Sequence, residues 1–214
     1  MIVNDRIADY INSLEVELPE YLRIIEKDAI SKHVPIVKRQ TQSLLKFLVT
    51  MKQPENILEI GTAVGFSSLL MSEYMPKDCH ITTIERNDKR YEKACENIKN
   101  ANKEDQITII KGDATEVLKD IGGCYDIVFV DAAKGQYLTF LKDVMPLMKS
   151  HALLISDNVL QDGDVTQSRY GVIRRNRTIH YRMRDYLYDI THMEEFQTVI
   201  IPVGDGVTLS TYKR

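Results

Sequence analysis

The chain has 214 residues, 43% hydrophobic and 28% charged, with a formal net charge of -3, a balance that fits one soluble globular domain with a core of its own. No apolar run approaches the roughly 20 residues a membrane span needs, and the opening Met1-Ile2-Val3-Asn4-Asp5-Arg6 lacks the charged-then-apolar layout of a leader, so a cytoplasmic location with no membrane partner is expected. Three widely spaced cysteines, Cys79, Cys95 and Cys124, argue against disulfides and against a zinc site.

In chain order, the first third reads as helices over 6–14, 20–32 and 37–51, with apolar residues such as Ile7, Tyr10, Ile11 and Leu14 at helical spacing and Pro19 at a helix start. Residues 1–35 are expected to form a helical extension packed on the main domain, where it would make a wall of the active site or a homodimer contact. From Asn56 onward strand and helix alternate: strands at 57–60, 80–85, 107–111, 127–131 and 152–157, helices at 67–74, 88–101, 114–121 and 136–148. Such alternation predicts an α/β fold, a parallel sheet covered on both faces. A basic helix over about 172–190 follows. Strands 198–202 and 207–212 then flank Val203-Gly204-Asp205-Gly206, a hairpin that would end the sheet antiparallel. No break resembles a linker, so residues 1–214 are read as one domain.

The segment 57–68 organises the rest. Ile57 to Ile60 is a short, mostly apolar strand, Gly61 and Gly65 permit a tight turn against a ligand, and Ser67-Ser68-Leu69 opens a helix whose free N–H groups point back to that turn. A third glycine is missing, and the carboxylate of Glu59 would repel a pyrophosphate, so a dinucleotide fits poorly. S-adenosylmethionine, with a cationic end and no phosphate, fits better; an ordinary strand-turn-helix without ligand fits as well.

Ligands of open parallel sheets sit beyond the carboxyl ends of the strands. Here those ends carry Glu59, Glu85, Asp113, Asp131 and Asp157-Asn158. Glu85 lies 20 residues after Gly65, near the separation at which a carboxylate receives ribose hydroxyls, although it also reads as an acidic helix cap. Asp113 could hold an adenine edge, cap a helix, or do both. Asp131, Asp157 and Asn158 offer three hard oxygen donors of the kind that suits Mg²⁺, with Mn²⁺ possible; the plainer alternative is a helix cap and a turn. A lysine beside a divalent cation is disfavoured as an ammonium, which makes Lys134 a candidate to accept a substrate proton, or else a solvated lysine. Tyr137 and Phe140, at helical spacing, read as core.

These pieces together resemble the metal-dependent, catechol-type O-methyltransferases that use S-adenosylmethionine. The resemblance runs from Val37 to Tyr212 and is carried by Leu58-Glu59-Ile60-Gly61-Thr62-Ala63-Val64-Gly65-Phe66-Ser67, Thr83-Ile84-Glu85, Phe129-Val130-Asp131-Ala132-Ala133-Lys134 and Ile155-Ser156-Asp157-Asn158-Val159. It implies a Rossmann-like seven-stranded methyltransferase sheet and a cofactor site including Val37, Glu59, Ser67, Glu85, Ala114 and Asp131. It also implies a metal on Asp131, Asp157 and Asn158, with Lys134 as general base.

Within that family the chain is most similar to bacterial tRNA 5-hydroxyuridine methyltransferases, which complete 5-methoxyuridine at the wobble position. Small catechols are usually held by aromatic gatekeepers after Asp157-Asn158-Val159, yet residues 160–170 contain no tryptophan and only a terminal tyrosine. Arg169, Arg174, Arg175, Arg177, Arg182 and Arg184 lie in a stretch without an acid and are expected to bind the phosphates of a tRNA anticodon loop, unless they pair with acids from elsewhere. The 4-carbonyl and 5-hydroxyl of 5-hydroxyuracil are neighbouring oxygens, so one metal could chelate them as it would a catechol. The rival expectations are an O-methyltransferase of small catechols or related phenols, and a non-catalytic RNA-binding module.

Overall fold

In the computed structural model, which describes residues 4–168 and 170–214, three helices come first: α1 (Asp5–Ser13), α2 (Glu20–Ser31) and α3 (Arg39–Lys52). Strands and helices then alternate as β1 (Asn56–Ile60), α4 (Phe66–Ser72), β2 (His80–Glu85), α5 (Asp88–Asn100), β3 (Ile107–Lys111), α6 (Ala114–Asp120), β4 (Tyr125–Val130), α7 (Tyr137–Val144) and β5 (Met148–Ser156). The chain ends with α8 (Arg177–His192), β6 (Phe196–Ile201) and β7 (Val207–Tyr212). The seven strands form one sheet in the order β3-β2-β1-β4-β5-β7-β6. The first five are parallel, and β7 is antiparallel to both β5 and β6, as the hairpin signature predicts.

The pleat sorts the core. Leu58, Ile60, Val128, Val130 and Leu154 point to the face covered by α6, α7 and α8, where they meet Leu118, Phe140 and Tyr186. Their sequence neighbours Ile57, Ile127, Phe129, Leu153 and Ile155 point to the other face and meet Leu22, Leu45, Leu69 and Leu70. Two-sided burial explains why the central strands read as continuous apolar runs rather than alternating ones. Each fully buried leucine, isoleucine or phenylalanine contributes roughly 1.5–3 kcal/mol.

Several boundaries differ from expectation for identifiable reasons. Lys38 is extended, so α3 starts at Arg39 rather than at Val37. The expected helix over 136–148 is divided into a 3₁₀ turn at Lys134–Gln136, the helix α7 and a second 3₁₀ turn at Met145–Leu147, where Pro146 lacks the N–H that would continue the ladder. The basic helix also begins late: Arg174–Asn176 is a 3₁₀ turn, so Arg174 and Arg175 lie off α8. The extension packs through α2, whose Leu22 and Ala29 are buried, whereas the stripe Ile7, Tyr10, Ile11 and Leu14 of α1 is exposed. No helix among the described residues is long and apolar enough to cross a membrane.

Candidate active site

A cavity of about 400 Å³ opens at the carboxyl ends of the parallel strands, where the strand order reverses between β1 and β4. At the crossing, Gly61 N donates to Ile84 O at 3.0 Å and Asp131 N donates to Ile60 O at 2.9 Å. Gly61 has φ +105°, and a Cβ there would lie 2.0 Å from the carbonyl oxygen of Asp131. Only glycine permits that approach. Gly65, at φ 82°, is the left-handed N-cap of α4.

Glu85 is buried on the cavity wall and uses both oxygens as anchors: Oε2 accepts from Ala63 N at 2.9 Å and Oε1 from Asn87 N at 2.7 Å. It therefore ties β2 to the glycine turn, and each oxygen keeps a further lone pair for a ribose hydroxyl. It is not the helix cap; Asn87 is, accepting from Arg90 N at 3.1 Å. Asp113 does cap α6, accepting from Thr115 N at 3.0 Å, while also lining the cavity beside Ala114. Hydrogen bonds from Thr115 hold its carboxyl below the usual range.

Glu59, Ser67 and Val37, expected in the cofactor site, are buried behind the cavity wall rather than on it, as is Asp157. Glu59 alternates with Ile60 and so faces α4; it is 0% exposed and accepts from Ser67 Oγ at 2.5 Å, Thr83 Oγ at 2.5 Å and Ser68 Oγ. Burial pushes its carboxyl up, against the pull of those three hydroxyls. Glu59 and Ser67 brace the turn from beneath, and Val37 is core, with Pro35 on the cavity wall instead. The sequence motifs give Ser68 and Thr83 no role of their own; an acid in an otherwise buried strand before two serines at a helix start is the signal for Ser68, and nothing marks Thr83 on β2.

The second half of the site is made by β4 and β5. Asp131 and Asn158 touch, Asn158 Nδ2 donating to Asp131 Oδ1 at 2.8 Å, and Asp157 Oδ1 accepts from Asn158 N at 2.8 Å. Asn158 holds φ 60°, a left-handed geometry that asparagine tolerates and that turns its side chain back towards Asp131. Asp157 is 2% exposed, and burial together with the charge of Asp131 pushes its carboxyl up to about 7. Burial likewise pushes Asp131 up, opposed by Asn158 and Lys134. Asp205, in the hairpin turn, adds to the repulsion on both while pairing with Lys38 Nζ at 2.5 Å. Two crowded carboxylates beside an amide form a donor set that a divalent cation would relieve, so the residues fit such an ion. No three histidine, cysteine or acidic side chains gather as a metal group among the described residues; this set has two acids and an amide.

Lys134 stands on the 3₁₀ turn after β4, half-buried on the cavity wall. Tyr137 and Phe140 are buried in the core, as expected, but Phe140 also lines the cavity and the Tyr137 hydroxyl donates to Asp157 O at 2.8 Å. Of the predicted arginines, Arg174, Arg175, Arg182 and Arg184 are exposed and Arg177 is half-buried; Arg169 lies outside the described residues. Acids do not pair with these five among the described residues. Arg177 Nε donates to Val172 O at 3.2 Å, Arg182 Nη1 to Gly135 O at 3.1 Å, and Arg184 Nη1 to Val165 O and Gln167 O at 3.4 Å. A larger hollow of about 660 Å³ among the N-terminal helices has most of its charges paired, as in Lys46–Glu15 at 2.5 Å and Arg23–Glu17 at 2.9 Å, and lacks convergent strand-end chemistry.

The seven-stranded sheet with its reversed last strand, and a cavity at the switch point, define a Rossmann-like methyltransferase architecture. The family model described as O-methyltransferase matches residues 12–213. A candidate caffeoyl-CoA O-methyltransferase from Staphylococcus aureus superimposes with a TM-score of 0.87 at 32% identity, covering 97% of this chain and 98% of that one. The catechol O-methyltransferase of Niastella koreensis is 33% identical over 125 residues, 56% of this chain and 57% of that protein. The caffeoyl-CoA O-methyltransferase of Medicago sativa is 26% identical over 98% of this chain and 89% of its own length. The chain belongs to the O-methyltransferase family.

Proposed function

We propose that the protein is an S-adenosylmethionine-dependent, divalent-metal-dependent O-methyltransferase acting on one of two neighbouring oxygens of a small catechol-like or phenolic acceptor. The observation that carries this reading is the chain of contacts from Asp131 to Asn158 and from Asn158 to the buried Asp157, with Asp131, Asn158 and Lys134 lining the same cavity as Glu85 and Asp113. When bound, the cofactor supplies the sulfonium methyl, and a divalent ion supplies Lewis acidity and a template for two oxygens. Asp131, Asp157 and Asn158 would hold that ion. Glu85 would accept from the ribose hydroxyls, Asp113 and Ala114 would flank the adenine, and Lys134 would take the acceptor's hydroxyl proton on Nζ. The names of the relatives favour small phenolic acceptors over an RNA.

A tRNA wobble 5-hydroxyuridine acceptor is the second reading, supported by Arg174, Arg175, Arg182 and Arg184, which are exposed and without acidic partners among the described residues. The exposed stripe of α1 supports a homodimer, which sedimentation equilibrium would test. An acceptor panel tests the function: catechol, a phenol with one oxygen, and tRNA carrying 5-hydroxyuridine. Transfer to catechol and none to the lone phenol is expected; transfer to the tRNA alone would overturn the small-acceptor reading in favour of the second.

A further inference from the structure

The turn that carries Lys134 has little of its own to hold it. Its internal hydrogen bond runs from Gln136 N to Ala133 O at 2.9 Å, and it stands beyond the end of β4, outside the ladder. A second support comes from α8: Arg182 Nη1 donates to Gly135 O at 3.1 Å. The seating is close, since a Cβ on Gly135 would come within 3.3 Å of that nitrogen. One helical turn further on, Tyr186 packs edge-on against Tyr137, ring centroids 5.3 Å apart, and its hydroxyl pairs with Ser156 Oγ at 2.5 Å. Tyr137 in turn reaches Asp157 O. Residues four apart share a helix face. One face of α8 thus grips the Lys134 turn through Arg182 and the start of α7 through Tyr186.

We propose that Arg182 is a positioning residue for Lys134, fixing the turn from which the lysine reaches the acceptor. The proposal rests on the reading of Lys134 as proton acceptor. Arg182 is exposed and has no acidic partner among the described residues, and the hydrogen bond its guanidinium makes there is this one to a loop carbonyl. An arginine kept only for solubility has no reason to seat its guanidinium on a catalytic turn. Because Glu85 ends β2 and Asp113 caps α6, both away from this turn, removing the bond should disturb proton transfer and leave cofactor binding intact.

The test compares Arg182→Met, which keeps the aliphatic stem and removes the donor, with Arg182→Lys, which restores one. Both are measured as the full chain for kcat, acceptor KM, S-adenosylmethionine Kd and unfolding temperature. For Arg182→Met, kcat should fall about tenfold, the rate equivalent of one charge-assisted hydrogen bond, with KM and Kd within about twofold. Arg182→Lys should recover most of the loss. Unchanged kcat in Arg182→Met overturns the proposal, as does a raised KM with kcat kept, which would make Arg182 an acceptor-binding group. A fall in kcat that tracks a lowered unfolding temperature also overturns it, leaving Arg182 as scaffold. Failure of the underlying reading shows elsewhere, as a Lys134→Ala protein that turns over at the unmodified rate.

Discussion

The two halves of the cleft are built differently. The half proposed to take the cofactor, at the ends of β1, β2 and β3, is made of strand ends, helix caps and backbone donors: Glu85 on Ala63 N and Asn87 N, Asp113 on Thr115 N, and Glu59 wedged under the glycine turn. The half proposed to take the acceptor, beyond β4 and β5, is made of 3₁₀ turns and loops tied down by side chains of α8. The first half is held by hydrogen bonds among the strand ends and the helix starts that follow them, while the second depends on side chains reaching over from α8. Substitutions should therefore separate cleanly, with cofactor affinity lost on one side and turnover on the other.

Lys134→Ala gives the largest expected effect of this kind. Loss of a general base should lower kcat by about 10²- to 10⁴-fold with cofactor Kd unchanged, read by steady-state kinetics and calorimetry. Turnover at the unmodified rate would remove the lysine from the chemistry. Glu85→Ala should do the converse, weakening S-adenosylmethionine binding about 10- to 100-fold through lost charge-assisted hydrogen bonds, with kcat at saturating cofactor largely kept. Cofactor affinity at the unmodified level would show that the wall of β2 is not the ribose site.

The smallest effect is in stability. The Asp157 carboxyl is pushed up to about 7, so the metal-free folded chain holds a proton that the unfolded chain releases. The stability this contributes is complete below the ordinary carboxylate value and is lost as pH rises through about 7. A divalent ion bound there would substitute for that proton. The rise in unfolding temperature on adding Mg²⁺ should therefore be greater at about pH 8 than at about pH 5.5, by a few degrees for a domain of this size. A rise independent of pH would show that the ion binds elsewhere.

The same contrast decides what was legible in the sequence. Gly61, Glu85, Asp113 and Asp157-Asn158 could be found because strand ends in a parallel sheet face the ligand, and a short apolar run followed by a turn marks a strand end. Glu59 is legible as an acid near a strand end, but the side it faces is not. Alternation along β1 turns it towards α4, away from the cavity, and which of two alternating faces a buried strand offers a ligand depends on the layers packed against it. The arginine stretch was visible as charge. Its bonds to Gly135, Val165 and Gln167 were not, because backbone carbonyls carry no sequence signature and the partners lie 17 to 47 residues away.

The account turns on a divalent ion held at the ends of β4 and β5, presenting two oxygens of the acceptor to the methyl donor. Its most direct test is the rate of methyl transfer from S-adenosylmethionine to catechol by the full chain in Mg²⁺, in excess EDTA, and after Mg²⁺ is restored, with Asp157→Ala alongside. Transfer should stop in EDTA, return with the metal, and be absent from Asp157→Ala throughout. A full rate in EDTA, or an Asp157→Ala protein as active as the unmodified one, would contradict it.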